Sequence, residues 1–293
     1  LIIRIGVARV VGPEGVLPDQ SVVHPPWPLI HDRVDPGCEE GDFPLGPLDV
    51  GGISLSPSAK APALIRDLEE KSGNLCQIVG CSDRHLSRSR QEESAVGNLV
   101  ADAMLATFKD ADLAIQNSGG LRSDIAQGQI RRTDLQAVMP FENRLLLVKM
   151  TGEQVRDMLQ IGSSGAHGIL QVAGGTYHFD PKRSEGTDQD GNGKVDEWEI
   201  NRLCLNPTVG GEPIDVKKTY NIVTTDFLFD GGDHLKSVFE ATTVLEEGPL
   251  LRDAIFDYVE NTTECLGKHG DLVNTDAPRI RKAPCTIVVS ESP

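Results

Sequence analysis

Short apolar runs of strand length alternate with stretches whose apolar residues recur at helical spacing, from "CQIVGC" (Cys76 to Cys81) to "PLLRDAIFDYVEN" (Pro249 to Asn261). A period of two and a period of 3.6 bury different faces, so this alternation restricts the chain to folds that layer helices on a sheet. A helix is expected over "SAVGNLVADAMLATFK", capped by Ser94, with Val96, Leu99, Val100, Ala103, Met104 and Phe108 on its apolar face. The strand "ADLAIQ" follows, then a short helix in "TDLQAVMPF" ending before Pro140, the strand "RLLLVKMT" and the helix "GEQVRDMLQIG". "GILQVAGGTYHFD" and "TYNIVTTDFLF" read as strands, and "PLLRDAIFDYVEN" as a late helix. No internal repeat is visible. The expected class is α/β or α+β, a mixed sheet flanked by helices.

Residues 1–55 are rich in proline and glycine, and beyond the opening "LIIRIGVARVV" they read as extended surface chain. "SAKAPALIRDLEEK" (Ser58 to Lys71) has the spacing of one amphipathic helix, with Ala61, Leu64, Ile65 and Leu68 on a face. The chain opens in mid-strand and is expected to be a piece of something longer, any signal peptide lying upstream or removed. No apolar run approaches the roughly 20 residues that span a bilayer. A net charge of −16 argues against a nucleic-acid binder, which needs a positive face. A small anionic ligand is still admissible, because a few local arginines dominate at short range. The six cysteines, at 38, 76, 81, 204, 265 and 285, form no tight metal-ligand run. Their even count is compatible with disulfides in an oxidising compartment. Cys76 with Cys81 would close a short loop and Cys265 with Cys285 the C-terminal tail, but the spacing does not choose among the pairings. Export, to a secreted, periplasmic or cell-surface location, is the expectation.

Two segments carry chemistry. In "AIQNSGGLRSDI" (Ala114 to Ile125) a strand ends on an amide, passes two glycines and presents Arg122. A turn alone needs the glycines but not the amide and the guanidinium. In "DQDGNGKVDEWE" (Asp188 to Glu199), oxygen donors fall at loop positions 1, 3, 5, 7, 9 and 12: Asp188, Asp190, Asn192, the Lys194 carbonyl, Asp196 and Glu199. Gly193 stands at the sharp-turn position and Val195 at the apolar one. Four carboxylates packed this closely repel one another without a cation. Pro181 and Gly186 disfavour an entering helix, so a helix-poor, EF-hand-like calcium loop is expected. It is read as an insertion over residues 186–206 with a structural role.

"VGNLVADAML", "IQNSGGLR", "AVMPFEN", "LQVAGG" and "DFLFDGGD" occur in this order between Val96 and Asp233. Together they resemble the C-terminal, substrate-recognising domain of the 5′-nucleotidase and UDP-sugar hydrolase family, over about residues 75 to 245. The resemblance implies a compact α/β domain over residues 73–293, joined by a linker helix (residues 56–72) to an N-terminal metallophosphatase domain. Residues 1–55 would be the extended remnant of that domain. It further implies that Phe141 and Phe227 sandwich a nucleobase, since stacking tolerates any base. Asn117 would face the base edge, Arg122 the ribose and phosphate end, and Asp233 the ribose hydroxyls. Gly119 and Gly120 would let backbone approach the ligand.

The chain departs from the family pattern at Glu92, where an arginine is usual, and at Ala95, where an asparagine is usual. Glu142 and Asn143 likewise replace glycines that often follow the first stacking ring. Arg90 lies close enough in sequence to stand in for the missing guanidinium. None of the DxH, GDxxD, GNHE or GHxH runs that hold a divalent metal pair is read in the chain. The histidines at 24, 31, 85, 167, 178, 234 and 269 read as surface or packing residues. The chain by itself is expected to bind a nucleotide or nucleoside and not to hydrolyse it. The alternative is a binding or scaffold module that kept the fold and lost productive recognition.

Overall fold

The computed structural model describes residues 48–50, 53–55, 75, 77–267 and 272–285. The opening strand-like run, the helix expected over Ser58 to Lys71, Cys38 and Cys76 lie outside these residues. Within the segment read as extended, β1 (Leu48–Val50) and β2 (Ile53–Leu55) pair antiparallel, so its last part is a strand pair rather than uninterrupted coil.

The elements then run β3 (Ile78–Ser82), α1 (Ala95–Thr107), β4 (Leu113–Asn117), β5 (Gly128–Arg131), α2 (Arg132–Val138), β6 (Arg144–Thr151), α3 (Gly152–Ser163), β7 (Leu170–Ala173) and β8 (Gly175–Phe179). Past the insertion come β9 (Thr208–Val209), β10 (Glu212–Pro213), β11 (Thr219–Thr225), α4 (Asp226–Phe229), α5 (Lys236–Phe239), β12 (Thr243–Leu250), α6 (Leu251–Glu260) and β13 (Ile280–Lys282). The central sheet has five strands in the order β12-β6-β11-β4-β7. Its β11–β4 pair is parallel and its other pairs antiparallel, so the sheet is mixed, as expected.

Both faces of this sheet are covered. On β4, Leu113 and Ile115 enter one apolar cluster and Ala114 the other; on β6, Leu146 and Val148 part in the same way from Leu145 and Leu147. Successive side chains of a strand point to opposite faces, so continuous apolar runs such as "RLLLV" belong in a two-sided core. α1, α2 and α6 close the first cluster, and α3, α5 and β8 close the second.

The start of α1 explains part of "SAVGNLVADAM". The Ser94 hydroxyl accepts from the Gly97 amide at 3.1 Å, the cap foreseen from sequence. Beneath it, the fully buried Gln171 of β7 accepts from the Ser94 amide at 3.1 Å and donates to the Glu92 carbonyl at 3.0 Å. A Cβ on Gly97 would overlap the Gln171 side chain, so glycine is what lets the helix settle on this strand.

Three expectations are corrected. "TYNIVTTDFLF" is not one strand: it breaks at Thr225, whose hydroxyl caps α4. "GILQVAGGTYHFD" splits into β7 and β8 at Gly174, where φ is +84°. The disulfides join Cys81 to Cys265 and Cys204 to Cys285, not the two short loops named above. They tie β3 to the chain beyond α6, and the exit of the insertion to the chain beyond β13. Strand β12, "TVLEEGPL", escaped notice because it is a largely exposed edge strand, with no apolar period to reveal it.

Gly97→Ala is expected to cost about 2 kcal/mol, because the added methyl must displace a buried, doubly bonded amide. Urea unfolding measures it, and unchanged stability would show that Gln171 has room to move.

Candidate functional site

One end of the central sheet gathers the residues singled out from sequence. The parallel pairing of β4 and β11 sets their carboxyl ends, Asn117 and Thr225, side by side. β6 runs antiparallel to β11 with Leu145 opposite Thr225, so Phe141, just before β6, emerges at this same end. β7 runs antiparallel to β4 with Leu170 opposite Asn117, which delivers the turn around His167 there too.

The Asn117 amide is oriented by its neighbours. Gln116, fully buried, donates from Nε2 to Asn117 Oδ1 at 2.9 Å, leaving Asn117 Nδ2 to donate to Asp233 Oδ2 at 2.8 Å. That bond joins the loop after β4 to the loop after α4. Asp233 and His234 both have left-handed backbone, with φ of 53° and 65°. Such conformations cost about 1–2 kcal/mol for each residue with a side chain. His167 Nδ1 lies 3.8 Å from the second oxygen of Asp233.

On the first arm, the Arg122 amide donates to the Val138 carbonyl at 2.9 Å and its guanidinium to the Gly119 carbonyl at 3.1 Å. The guanidinium carbon stands 5.9 Å from the Phe141 ring centre, within cation–π range. On the second arm, Phe227 sits in α4 with its ring against Gly232, where a Cβ would come within 2.5 Å of the ring. Phe141 is 41% exposed and Phe227 45% exposed, while Phe108, Phe179, Phe239 and Phe256 are buried. Among the described residues these are the two exposed phenylalanines, and they make no ring contact with each other. Gly119 and Gly120 have a use inside the protein: a Cβ on Gly120 would lie 2.6 Å from Gln116 Nε2, and one on Gly119 3.3 Å from the His167 carbonyl.

Beside this patch, Arg90 donates to the His167 carbonyl at 3.1 Å. It also lines an open cleft of about 450 Å³ with Arg88, Ser89, Gln91, Glu92, Asp124 and Lys282. Glu92 and Asp124 thus share this cleft with Arg88, Arg90 and Lys282. Neither phenylalanine lines this cleft. A much smaller crevice lies between Asn117, Asp233, His167 and Leu235.

Three residues of this region were missed. The rings of His167 and His234 lie 5.0 Å apart, and Trp198 of the insertion stacks on His234 at 4.8 Å with planes 4° apart. The one signal in the sequence was that His234 adjoins Asp233. A fragment of the metal-ligand series also escaped notice: Asp83-Arg84-His85 is a DxH run. It serves packing here, with Arg84 bonded to Asp83 at 3.0 Å and to the Gly267 carbonyl at 3.0 Å, and His85 3.3 Å from Asp124.

In the insertion, one carboxylate oxygen from each of Asp188, Asp190 and Glu199 falls within 4.8 Å of the others. Asn192 is bonded into that group, its backbone amide donating to Asp190 Oδ1 at 3.0 Å and its Nδ2 to Asp190 Oδ2 at 3.1 Å. Nδ2 also donates to Asp196 Oδ2 at 2.8 Å, and Lys194 Nζ donates to Asp196 Oδ1 at 2.6 Å. The Gly193 amide, more than any other group, keeps the Asp188 carboxyl below the usual range, and the Lys194 ammonium does so for Asp196. Glu199 is 1% exposed and accepts from the Asp196 amide at 2.7 Å. No helix enters the loop, and a single 3-10 turn, Glu197–Glu199, leaves it.

Asn117→Asp sets two carboxylates 2.8 Å apart where a hydrogen bond now lies. At pH 7 the variant is expected to lose about 2 kcal/mol. Its folded state raises one carboxyl pKa above the unfolded value, so the penalty is present at neutral pH and fades as pH falls through the raised value. A deficit independent of pH would show that the two side chains are not in contact.

Residues 71–241 match the family described as "5'-nucleotidase, C-terminal domain". The chain is 33% identical over 245 residues to the trifunctional nucleotide phosphoesterase protein YfkN of Bacillus subtilis, covering 77% of this chain and 16% of that protein. It is 29% identical over 233 residues to the cell wall protein Lmo0130 of Listeria monocytogenes, covering 71% of this chain and 28% of that protein. The fold is shared with the 5′-nucleotidase precursor of Thermus thermophilus, at a TM-score of 0.59 and 23% identity, covering 79% of this chain and 46% of that one. It is shared also with the NAD nucleotidase of Haemophilus influenzae, at a TM-score of 0.56 and 22% identity, covering 80% and 43%. By the extent of the domain match and the identity to its relatives, the chain belongs to the 5′-nucleotidase C-terminal domain family.

Proposed function

We propose that this chain is the nucleotide-recognising part of an exported, metal-dependent 5′-nucleotidase, and that hydrolysis takes place on a divalent metal pair held by a separate N-terminal metallophosphatase domain. In this reading Phe141 and Phe227 take the base between them, and Asn117 reads its edge. Asp233 accepts from the ribose hydroxyls, and Arg122 faces the phosphate end. Domain movement then carries the phosphate to the metals. The observation that carries the proposal is the exposure of Phe141, just before β6, and of Phe227, in α4, at the sheet end where Asn117 bonds Asp233. Burying an exposed ring is favourable, so two such rings at one sheet end are well placed to gain from a flat ligand. Arg88, Arg90 and Lys282 supply positive charge nearby despite Glu92.

Two cross-links among the described residues suit an oxidising compartment, and among those residues no helix is long and apolar enough to cross a membrane. The chain spans 16% and 28% of the two curated relatives named above, which leaves room for the catalytic domain elsewhere in a longer protein.

We propose further that Asp188, Asp190, Asn192, the Lys194 carbonyl, Asp196 and Glu199 hold a structural calcium ion. The gathered carboxylates of Asp188, Asp190 and Glu199 support this, since a hard cation relieves their repulsion with oxygen ligands.

Calorimetry with adenosine, AMP and a UDP-sugar tests the pocket. Phe227→Ala is expected to weaken the best of these by about tenfold or more, the worth of one base–ring stack. If the wild type binds none of them, the scaffold reading replaces this one. For the insertion, a chelator is expected to lower the melting temperature by about 5 °C, calcium to restore it, and Glu199→Gln to abolish the response. An unchanged melting curve defeats the structural role.

A further inference from the structure

We propose that Trp198, carried by the insertion, positions Asp233 for ligand binding by stacking on His234, so that the insertion helps to set how well the site recognises a ribose diol. This rests on the reading of Asp233 as the acceptor for ribose hydroxyls.

Two adjacent residues with side chains, Asp233 and His234, hold left-handed backbone, at φ of 53° and 65°. Strain of this kind persists only where the surroundings impose it, and it gathers where geometry has a use. Each of the two residues is gripped through its side chain, from a different part of the fold. Asp233 is held from β4 by the Asn117 amide at 2.8 Å. The His234 ring lies against Trp198 at 4.8 Å, with planes only 4° apart, and against His167 at 5.0 Å.

The indole in turn rests on a braced platform. Trp198 packs against the second apolar cluster. It sits in the Glu197–Glu199 turn, whose Glu199 carboxylate accepts from the Asp196 amide at 2.7 Å. The base of the insertion is closed by a bridge between Gly186 and Ile200 and by the Asn201 amide on the Glu185 carbonyl at 2.8 Å. Arg202 bonds to the Ser164 carbonyl, which pins the insertion to the turn that carries His167. The Cys204–Cys285 disulfide fixes its exit. A rigid wall therefore presses on His234, and the next residue back along the chain is Asp233. Removing the indole frees one grip on a strained turn. The turn then relaxes, and the Asp233 carboxylate loses its fixed aim. Trp198 acts through His234 and is a positioning residue.

The test is calorimetric titration of the full chain with adenosine and with 2′,3′-dideoxyadenosine, which lacks both hydroxyls that Asp233 would accept from. Trp198→Ala is expected to weaken adenosine about tenfold while leaving dideoxyadenosine nearly unchanged. The melting temperature is expected to fall by several degrees, because the indole also packs against the second apolar cluster, and the dideoxyadenosine control separates that lost packing from the lost aim of Asp233. Trp198→Phe, which keeps a flat ring, should recover most of the adenosine affinity, and His234→Ala should reproduce the loss. If Trp198→Ala binds adenosine like wild type while Phe227→Ala does not, this inference is overturned and the proposed pocket stands. Equal losses for both nucleosides also overturn it, because they indicate general damage. Wild type that binds neither nucleoside overturns the proposed function and this inference with it. Should Trp198→Ala fail to fold, His234→Ala decides: unchanged adenosine binding there refutes the positioning role.

Discussion

The site depends on the one parallel contact in the central sheet. Because β4 and β11 run side by side in the same direction, the two loops that leave them must emerge together, whatever side chains they carry. In open sheets this is where ligands bind, at the carboxyl ends of parallel strands. β4 is buried along its whole length, and its last residue, Asn117, borders the small crevice it shares with Asp233 and His167. The antiparallel neighbours β6 and β7 then bring Phe141 and His167 to the same rim. The residues gathered at this rim thus sit at strand ends and on short connections whose stems are buried sheet, which is how such a segment is held to useful accuracy.

Much of this was legible in the sequence, for identifiable reasons. α1 announced itself because Ser94 and the apolar spacing after it agree, and both are local signals. Asn117, Arg122, Phe141, Phe227 and Asp233 were singled out because each belongs to a short ordered run, and the fold brings them to one end of the central sheet. What escaped depends on contacts between distant parts of the chain. Nothing near Trp198 says that it will stack on His234, and nothing near Cys81 says that its partner is Cys265. "DFLF" has the composition of a strand, yet it turns helical because the Thr225 hydroxyl caps it, a one-bond decision taken against propensity. The glycines after Asn117 were read for the ligand's convenience, whereas the protein's own Gln116 already occupies the space that Gly120 leaves.

The insertion illustrates how a segment with its own chemistry becomes part of a neighbouring site. Its acidic residues are arranged around one another and explain its internal shape. Its attachment to the domain is a different matter, made through Trp198, Arg202 and Cys204. Trp198 leads to His234 in the loop after α4, Arg202 to the turn that carries His167, and Cys204 to the chain beyond β13. Trp198 and Arg202 are the contacts through which a change in the loop's own order reaches the rim most directly.

Charge is the remaining constraint, and it acts at two ranges. A chain with a net charge of −16 repels an anion at long distance, yet the potential of remote surface charges is screened within about 8 Å at physiological ionic strength. Inside that range the nearby cleft offers Arg88, Arg90 and Lys282 against Glu92 and Asp124. Arg122 stands over Phe141 rather than in an ion pair. The acidic surplus lies largely elsewhere, five of its carboxylates in the insertion alone, at Asp188, Asp190, Asp196, Glu197 and Glu199. The rim therefore keeps the means to attract a phosphate locally, while the rest of the surface discourages the long polyanions that a uniformly basic protein would collect.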